Sequence, residues 1–244
     1  MAITERQLDV ARVSLAAAGR KYGAALAGGN ALNIHEELIG DSRGIARSTQ
    51  DVDVFVLRQR NVRRAVNAVI AALERAGYAV DRNDKASGLA AIGFEDADDE
   101  LARLVVTCPD DSPDHSEPVQ VEIAHFYYEA AVDSPIGPVL SLDDLGGWKT
   151  VAWAARRAAR DPCDVASFIA GGYEPSQLIR LAKARDKGLE DADFAEAAVW
   201  VDASPDQLFA PYLEDQDGRG GEARNVAWLR QTLARWPREP ARAG

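Results

Sequence analysis

Cysteine is scarce in this chain. Its 244 residues include only Cys108 and Cys163, at a separation that fits no disulfide framework. That excludes a secreted disulfide scaffold and points to a reducing, cytoplasmic setting. Long apolar runs are missing as well, which excludes a membrane span. The first 23 residues, MAITERQLDVARVSLAAAGRKYG, lack the continuous apolar core of a signal peptide, because Glu5 and Asp9 break them into a stripe. Net basic charge is also absent. With 28 Lys+Arg against 39 Asp+Glu the net charge is −11, whereas a nucleic-acid binder usually carries a basic footprint. What is present in quantity is apolar side chain, 47% of the sequence, enough for a real core.

The charge is uneven. Residues 1–148 carry a net −10 and residues 149–244 only −1, with 8 basic and 4 acidic residues between Lys149 and Lys187. A local positive face is therefore compatible with the acidic whole.

Periodicity divides the chain in two. An amphipathic helix is predicted over 4–20, a short strand at Ala24–Ala27, a helix over Ala31–Leu38 capped by Asn30, and a polar loop over Gly40–Gln50. Asp51–Leu57 alternates as a strand, and Asn61–Ala76 has helical spacing ended by Gly77. Strands follow at 78–81, 89–94, 101–107 and 119–126, with a Pro, Asp and Ser-rich loop at 109–118. Beyond residue 140 the pattern is helical only, at 143–159, 161–170, 175–187, 191–201 and 222–236, before a frayed PREPARAG tail. The expected fold is α+β: a mixed-sheet core with flanking helices over 1–140, then an all-helical bundle over 141–244 that completes the active site.

Four groups of residues invite chemistry. Asp51 and Asp53 stand two apart on a strand, so both carboxylates project to one side about 7 Å apart along the chain. A hard cation such as Mg²⁺ binds such oxygens together with substrate phosphates, and two ions can clamp the oxygens of a phosphoryl displacement. Alone, Asp-x-Asp reads more simply as a solvated strand face. Gly28-Gly29-Asn30 opens a helix where phosphate can approach the backbone; an ordinary strand-to-helix turn is the simpler reading. Glu122 lies on a later strand beside Gln120 and Ala124, placed to join a metal site or to accept a proton, or else simply to face solvent. Lys149, Arg156, Arg160 and Asp164 fall near one helical face or its continuation, suited to a polyphosphate; a solvated helix pair is the alternative. Asp161 is predicted to cap the second of those helices, with Pro162 at its first position.

Together these pieces resemble the AbiEii-type nucleotidyltransferase toxins, including the mycobacterial MenT branch, within the polymerase-beta-like nucleotidyltransferase superfamily. The family's Gly-Gly-(Ser/Thr)-Ala-Leu turn reads here as GGNAL (28–32). Its Arg-x-Thr-x-Asp-x-Asp stretch reads Arg47-Ser48-Thr49-Gln50-Asp51-Val52-Asp53, its later strand acid is Glu122, and its helix pair is matched by Lys149, Arg156, Arg160, Asp161 and Asp164. Asn30 departs from the family's Ser or Thr, although its amide can also donate a hydrogen bond.

The resemblance implies transfer of a nucleoside monophosphate from an NTP to an acceptor hydroxyl with release of pyrophosphate, using Mg²⁺ or alternatively Mn²⁺. In MenT-like toxins the acceptor is the 3′ end of tRNA, the result is blocked translation, and a neighbouring antitoxin restrains the enzyme. Residue by residue, it implies Asp51, Asp53 and Glu122 as metal ligands and catalytic acids. Lys149 and Arg156 would hold the triphosphate, with Gly28, Gly29 and Asn30 at the nucleotide. Arg47 and Thr49 would shape the approach to the strand, also at the nucleotide. Asp164 would complete the catalytic set by orienting Lys149, and Arg160 with Asp161 would form a structural pair. Two other readings remain: a nucleotidyltransferase acting on a small molecule, which the acidic net charge favours, and a catalytically silent nucleotide-binding module.

Overall fold

The computed structural model describes residues 3–40, 51–82, 101–108, 117–213 and 224–238. The strand expected at 89–94, most of the two polar loops, the end of the tail, and Arg47 and Thr49 lie outside the described residues. The chain forms two compact units, one from residues 2–34 and 49–141, the other chiefly from residues 35–48 and 142–244.

The first unit is built on a mixed sheet. Its strands are β1 (Ala24–Ala27), β2 (Asp51–Val56), β3 (Ala79–Arg82), β4 (Leu101–Thr107), β5 (Val119–His125), β6 (Ala131–Ser134) and β7 (Gly137–Leu140), in the order β3-β4-β5-β2-β1-β7-β6. β2 runs parallel to β5 and β1 parallel to β7; the remaining pairs are antiparallel. Strict alternation makes β2 two-faced. Val52, Val54 and Val56 are fully buried, while Asp51, Asp53 and Phe55 are half-buried on the other side. β4 and β5 continue the apolar face with Ala102, Leu104, Val106, Val121 and Ile123. Helices α1 (Glu5–Tyr22) and α3 (Val62–Arg75) pack on one another and on this sheet.

Local chemistry sets the helix ends. Thr4 and Gln7 form a capping box at the start of α1, and Gly23, at φ +65°, closes it in the left-handed conformation that favours glycine. Gly77, at φ +93°, does the same after α3. Helix α2 (Gly28–Ile34) leaves β1 directly through Gly28, also at φ +65°. Asn30 therefore lies inside the helix and does not cap it, which corrects the expected start at Ala31. The strands β6 and β7 are too short for periodicity to detect, and a tight turn at Pro135 and Ile136 joins them.

Tyr78 Oη donates to Asp9 Oδ2 at 2.7 Å, joining the residue before β3 to α1. Burial first, and then the Asp9 carboxylate, push Tyr78 up from 10.0 to about 12. A raised folded value means that the native state holds this proton more tightly. Its contribution is complete below pH 10 and is lost as pH rises through 12. Denaturant titrations should therefore show Tyr78→Phe losing less stability than the parent between those pH values. Equal losses would remove this pair from the stability account.

The second unit is helical: α4 (Leu142–Arg156), α5 (Arg160–Ala170), α6 (Pro175–Arg185), α7 (Asp191–Ala203) and α8 (Val226–Leu233), with a π-helical turn at His35–Ile39. Trp153, Phe168, Phe194 and Trp236 fill its core, and Trp236 Nε1 donates to the Phe194 carbonyl at 3.1 Å. Gly146 and Gly147 let α6 approach α4. A Cβ on Gly147 would lie 2.7 Å from the Arg185 side chain, which pairs with Asp144 at 2.7 Å while both are 1% exposed. Asp161 does not cap α5, because the helix already starts at Arg160 and the Asp161 carboxylate is taken by Arg156. Helix α8 starts behind Asn225, whose Oδ1 accepts from Trp228 N, later than the expected 222. Among the described residues no helix is long and apolar enough to cross a membrane. Both cysteines are free thiols.

Candidate active site

In the sheet unit, the antiparallel register of β1 on β2 sets Ala27 opposite Asp53. The chain turns at the next residue, and the Asp53 carboxylate lies against that turn. A Cβ built on Gly28 would stand 1.7 Å from Asp53 Oδ2 and 2.7 Å from its Cγ. Glycine is thus required twice at position 28, once by its backbone angle and once by the acid above it. The sequence suggested that this glycine makes room for phosphate; what it makes room for in the fold is Asp53. Asn30 is fully buried, and its Nδ2 donates to the Asp51 backbone carbonyl at 2.8 Å. Its side chain thereby ties α2 to the first residue of β2.

The parallel register of β2 on β5 pairs Asp53 with Glu122, so the two share a face on adjacent strands. Adjacent strands are about 4.8 Å apart. Glu122 Oε1 accepts from Arg103 Nε at 2.6 Å, and Arg103 is its register partner on β4. One row across the sheet therefore reads Arg103, Glu122, Asp53. Arg103 was not anticipated; its signal was the single cation on the polar side of an otherwise apolar alternating strand. Among the described residues no three His, Cys, Asp or Glu side chains gather as a metal cage. Asp51 and Asp53 nevertheless suit a hard cation. They supply oxygen donors only, both half-buried on one strand face, and Mg²⁺ or Mn²⁺ completes such a pair with waters and phosphate oxygens.

In the helical unit, α4 ends at Arg156, and Arg157, at φ +50°, turns the chain into α5. Through this turn Asp164 meets Lys149. Lys149 Nζ donates to Asp164 Oδ2 at 2.8 Å, with the lysine side chain 14% exposed and the aspartate 2%. Arg156 grips the buried Asp161 bidentately, Nε to Oδ2 at 2.8 Å and Nη2 to Oδ1 at 2.7 Å, while its own side chain stays 49% exposed. Arg160 Nε stands 3.8 Å from the same carboxylate. The partner of Asp161 is thus chiefly Arg156, with Arg160 secondary.

A sequence model of one family, described as "Nucleotidyl transferase AbiEii toxin, Type IV TA system", matches residues 12–217. No curated protein matches the chain. Among solved structures, the fold is similar to MenT4, a nucleotidyltransferase toxin from Mycobacterium tuberculosis H37Rv. The TM-score is 0.54 and the identity 16%, over 93% of this chain and 82% of that one. It is also similar to JHP933 from Helicobacter pylori, with a TM-score of 0.53 and 13% identity over 96% of this chain and 92% of that one. At these identities the likeness is one of fold.

Proposed function

The chain belongs to the AbiEii family of nucleotidyltransferase toxins of type IV toxin–antitoxin systems, and from that premise we propose what it transfers and which residues do it. It takes a nucleoside triphosphate with Mg²⁺ and passes the nucleoside monophosphate to the 3′ end of tRNA, blocking translation until a cognate antitoxin restrains it. The observation that carries this reading is the pair Asp51 and Asp53 on one strand face, with the Asp53 carboxylate lodged over Gly28.

Asp51 and Asp53 would hold the metal. When bound, it shields the triphosphate and steadies the charge that grows on the leaving pyrophosphate. The acceptor oxygen bonds to the α-phosphorus, the bond to pyrophosphate breaks, and the hydroxyl proton goes to Glu122, which Arg103 holds in orientation. Lys149 binds the triphosphate, with Asp164 fixing its ammonium. Arg156 adds a second cation, fixed by Asp161. Gly28 and Gly29 border the nucleotide and Asn30 keeps β2 in place beneath it; Arg47 and Thr49 join the nucleotide-binding set on the family pattern alone.

Lys149→Ala should raise the KM for NTP by roughly tenfold to a hundredfold, the worth of one charge-assisted hydrogen bond. The metal concentration for half-maximal rate should stay where it was. A collapse of metal affinity with unchanged KM would mean that Lys149 serves the acids and not the substrate. A melting curve belongs beside the kinetics, because Asp164 is left without Lys149.

The acceptor is tested by incubating the protein with labelled NTPs, Mg²⁺ and total tRNA. Label on tRNA is the expected result. Label only on an added small hydroxyl compound would establish the second reading, which the net charge of −11 favours.

A further inference from the structure

In so acidic a protein two long stretches, residues 10–35 and 54–73, contain no Asp or Glu at all. The fold joins them. Leu57 N donates to the Gly23 carbonyl at 3.0 Å and Asn61 Nδ2 to the Tyr22 carbonyl at 3.2 Å. The end of α1 therefore meets the turn that follows β2. Six cations gather there: Arg20, Lys21, Arg58, Arg60, Arg63 and Arg64. All are exposed, and among the described residues none is paired with an acid. Elsewhere Arg103, Arg156, Arg157, Arg185, Arg230, Arg235 and Arg238 all hold carboxylates.

Helix stability explains only part of this cluster. Arg20 and Lys21 occupy the last turn of α1, where the helix dipole favours a cation. Arg63 and Arg64 occupy the first turn of α3, where the dipole disfavours one and where no acid compensates. Something other than the helix accounts for arginines there. The location suggests what. Arg58 follows Asp53 by five residues, about 17 Å of extended strand. Between them, on the same face as the acids, Phe55 stacks on Phe126, with ring centroids 4.4 Å apart and planes at 29°, and both rings are half-buried. Aromatic rings beside a cationic track are how proteins hold single-stranded nucleic acid, the rings taking bases and the cations taking phosphates.

We propose that this arginine corner binds the sugar-phosphate backbone of an RNA acceptor, whose end reaches Asp53 across Phe55 and Phe126. The inference rests on the nucleotidyl-transfer reading of Asp51 and Asp53. It also accounts for how a chain of net charge −11 can hold RNA: the binding charge is local and left unpaired.

The test is binding without turnover. Full-length protein is titrated into a fluorescein-labelled tRNA pool, without NTP, at several salt concentrations. The variant Arg58→Gln/Arg60→Gln/Arg63→Gln/Arg64→Gln should bind about tenfold or more weakly at low salt. Its slope of log affinity on log salt should shrink by about three, since each phosphate contact contributes roughly 0.7 to 0.9. Arg12→Gln, at an exposed cation paired with Asp9, should change neither. The thermal midpoint of the fourfold variant should hold or rise, because two cations leave the first turn of α3; a purely structural role would lower it. An unchanged affinity and slope would overturn the proposal and leave the corner to an acidic protein partner. Failure of the parent protein to bind tRNA at any salt would overturn the RNA acceptor itself, which separates the two failures.

Discussion

Asp53→Asn should lower nucleotidyl transfer by about a thousandfold or more while leaving the fold intact. The substitution keeps the shape that sits over Gly28 and removes the charge that a hard cation needs. A metal that stabilises the leaving pyrophosphate supplies several kcal/mol at the transition state, and about 4 kcal/mol corresponds to a thousandfold in rate. The cost to folding should be small, because Asp53 is half-buried and lies outside the apolar face formed by Val52, Val54 and Val56. Circular dichroism and the thermal midpoint should therefore match the parent. Asp81→Asn, an exposed acid on β3, serves as the control and should leave the rate unchanged. A rate for Asp53→Asn within a few fold of the parent would remove this residue from the metal site.

The second large effect is expected at a residue with no functional group. Gly28→Ala places a methyl group where Asp53 Oδ2 now stands, 1.7 Å from the new carbon, so the carboxylate must move. Displacing a reacting group by an ångström can cost about a hundredfold in rate, and a loss of that size or more is expected. The left-handed backbone at φ +65° adds roughly 1–2 kcal/mol of strain. Gly77→Ala separates the two causes. Gly77 also has positive φ, but nothing lies within 4 Å of its added Cβ. It should lose comparable stability and keep full transfer. If both variants lost activity in proportion to their stability, the contact between Gly28 and Asp53 would carry no catalytic weight.

The two halves of the fold were legible for different reasons. The strand at Asp51 could be read because β2 alternates strictly, and bundle helices such as α6 because their buried residues recur at helical spacing, as Leu178, Leu181 and Ala182 do. The hairpin β6–β7 was not legible, since four-residue strands hold too few repeats of a two-residue period. Asn30 and Asp161 were misread as caps for one reason. Both are polar residues near a helix start, and both spend their side chains elsewhere, on the Asp51 carbonyl and on Arg156. A propensity describes what a side chain can do for its own helix and is blind to a partner brought in by the fold.

The same blindness limited the reading of the site. The shared face of Asp51 and Asp53 was legible because their relation is local, two positions on one strand. The pairing of Lys149 with Asp164 was legible because adjacent helices keep them close in sequence. Arg103 was missed because its link to Glu122 depends on the register of β4 on β5 across a gap of 19 residues. The arginine corner was missed because it needs α1 and the turn after β2 to meet. The basic stretch from Lys149 to Lys187 drew notice instead, yet Lys149, Arg156, Arg157, Lys183 and Arg185 in it are bound to carboxylates.

The claim that most of this rests on is nucleotidyl transfer at Asp51 and Asp53, and the position of a label tests it most directly. The protein is supplied with Mg²⁺, total tRNA, and NTP labelled at either the α- or the γ-phosphate. Nucleotidyl transfer predicts that the α label enters tRNA while the γ label leaves as pyrophosphate, and that both signals vanish with EDTA or with Asp53→Asn. Entry of the γ label into the acceptor, or α-label transfer that survives EDTA and Asp53→Asn alike, would contradict it.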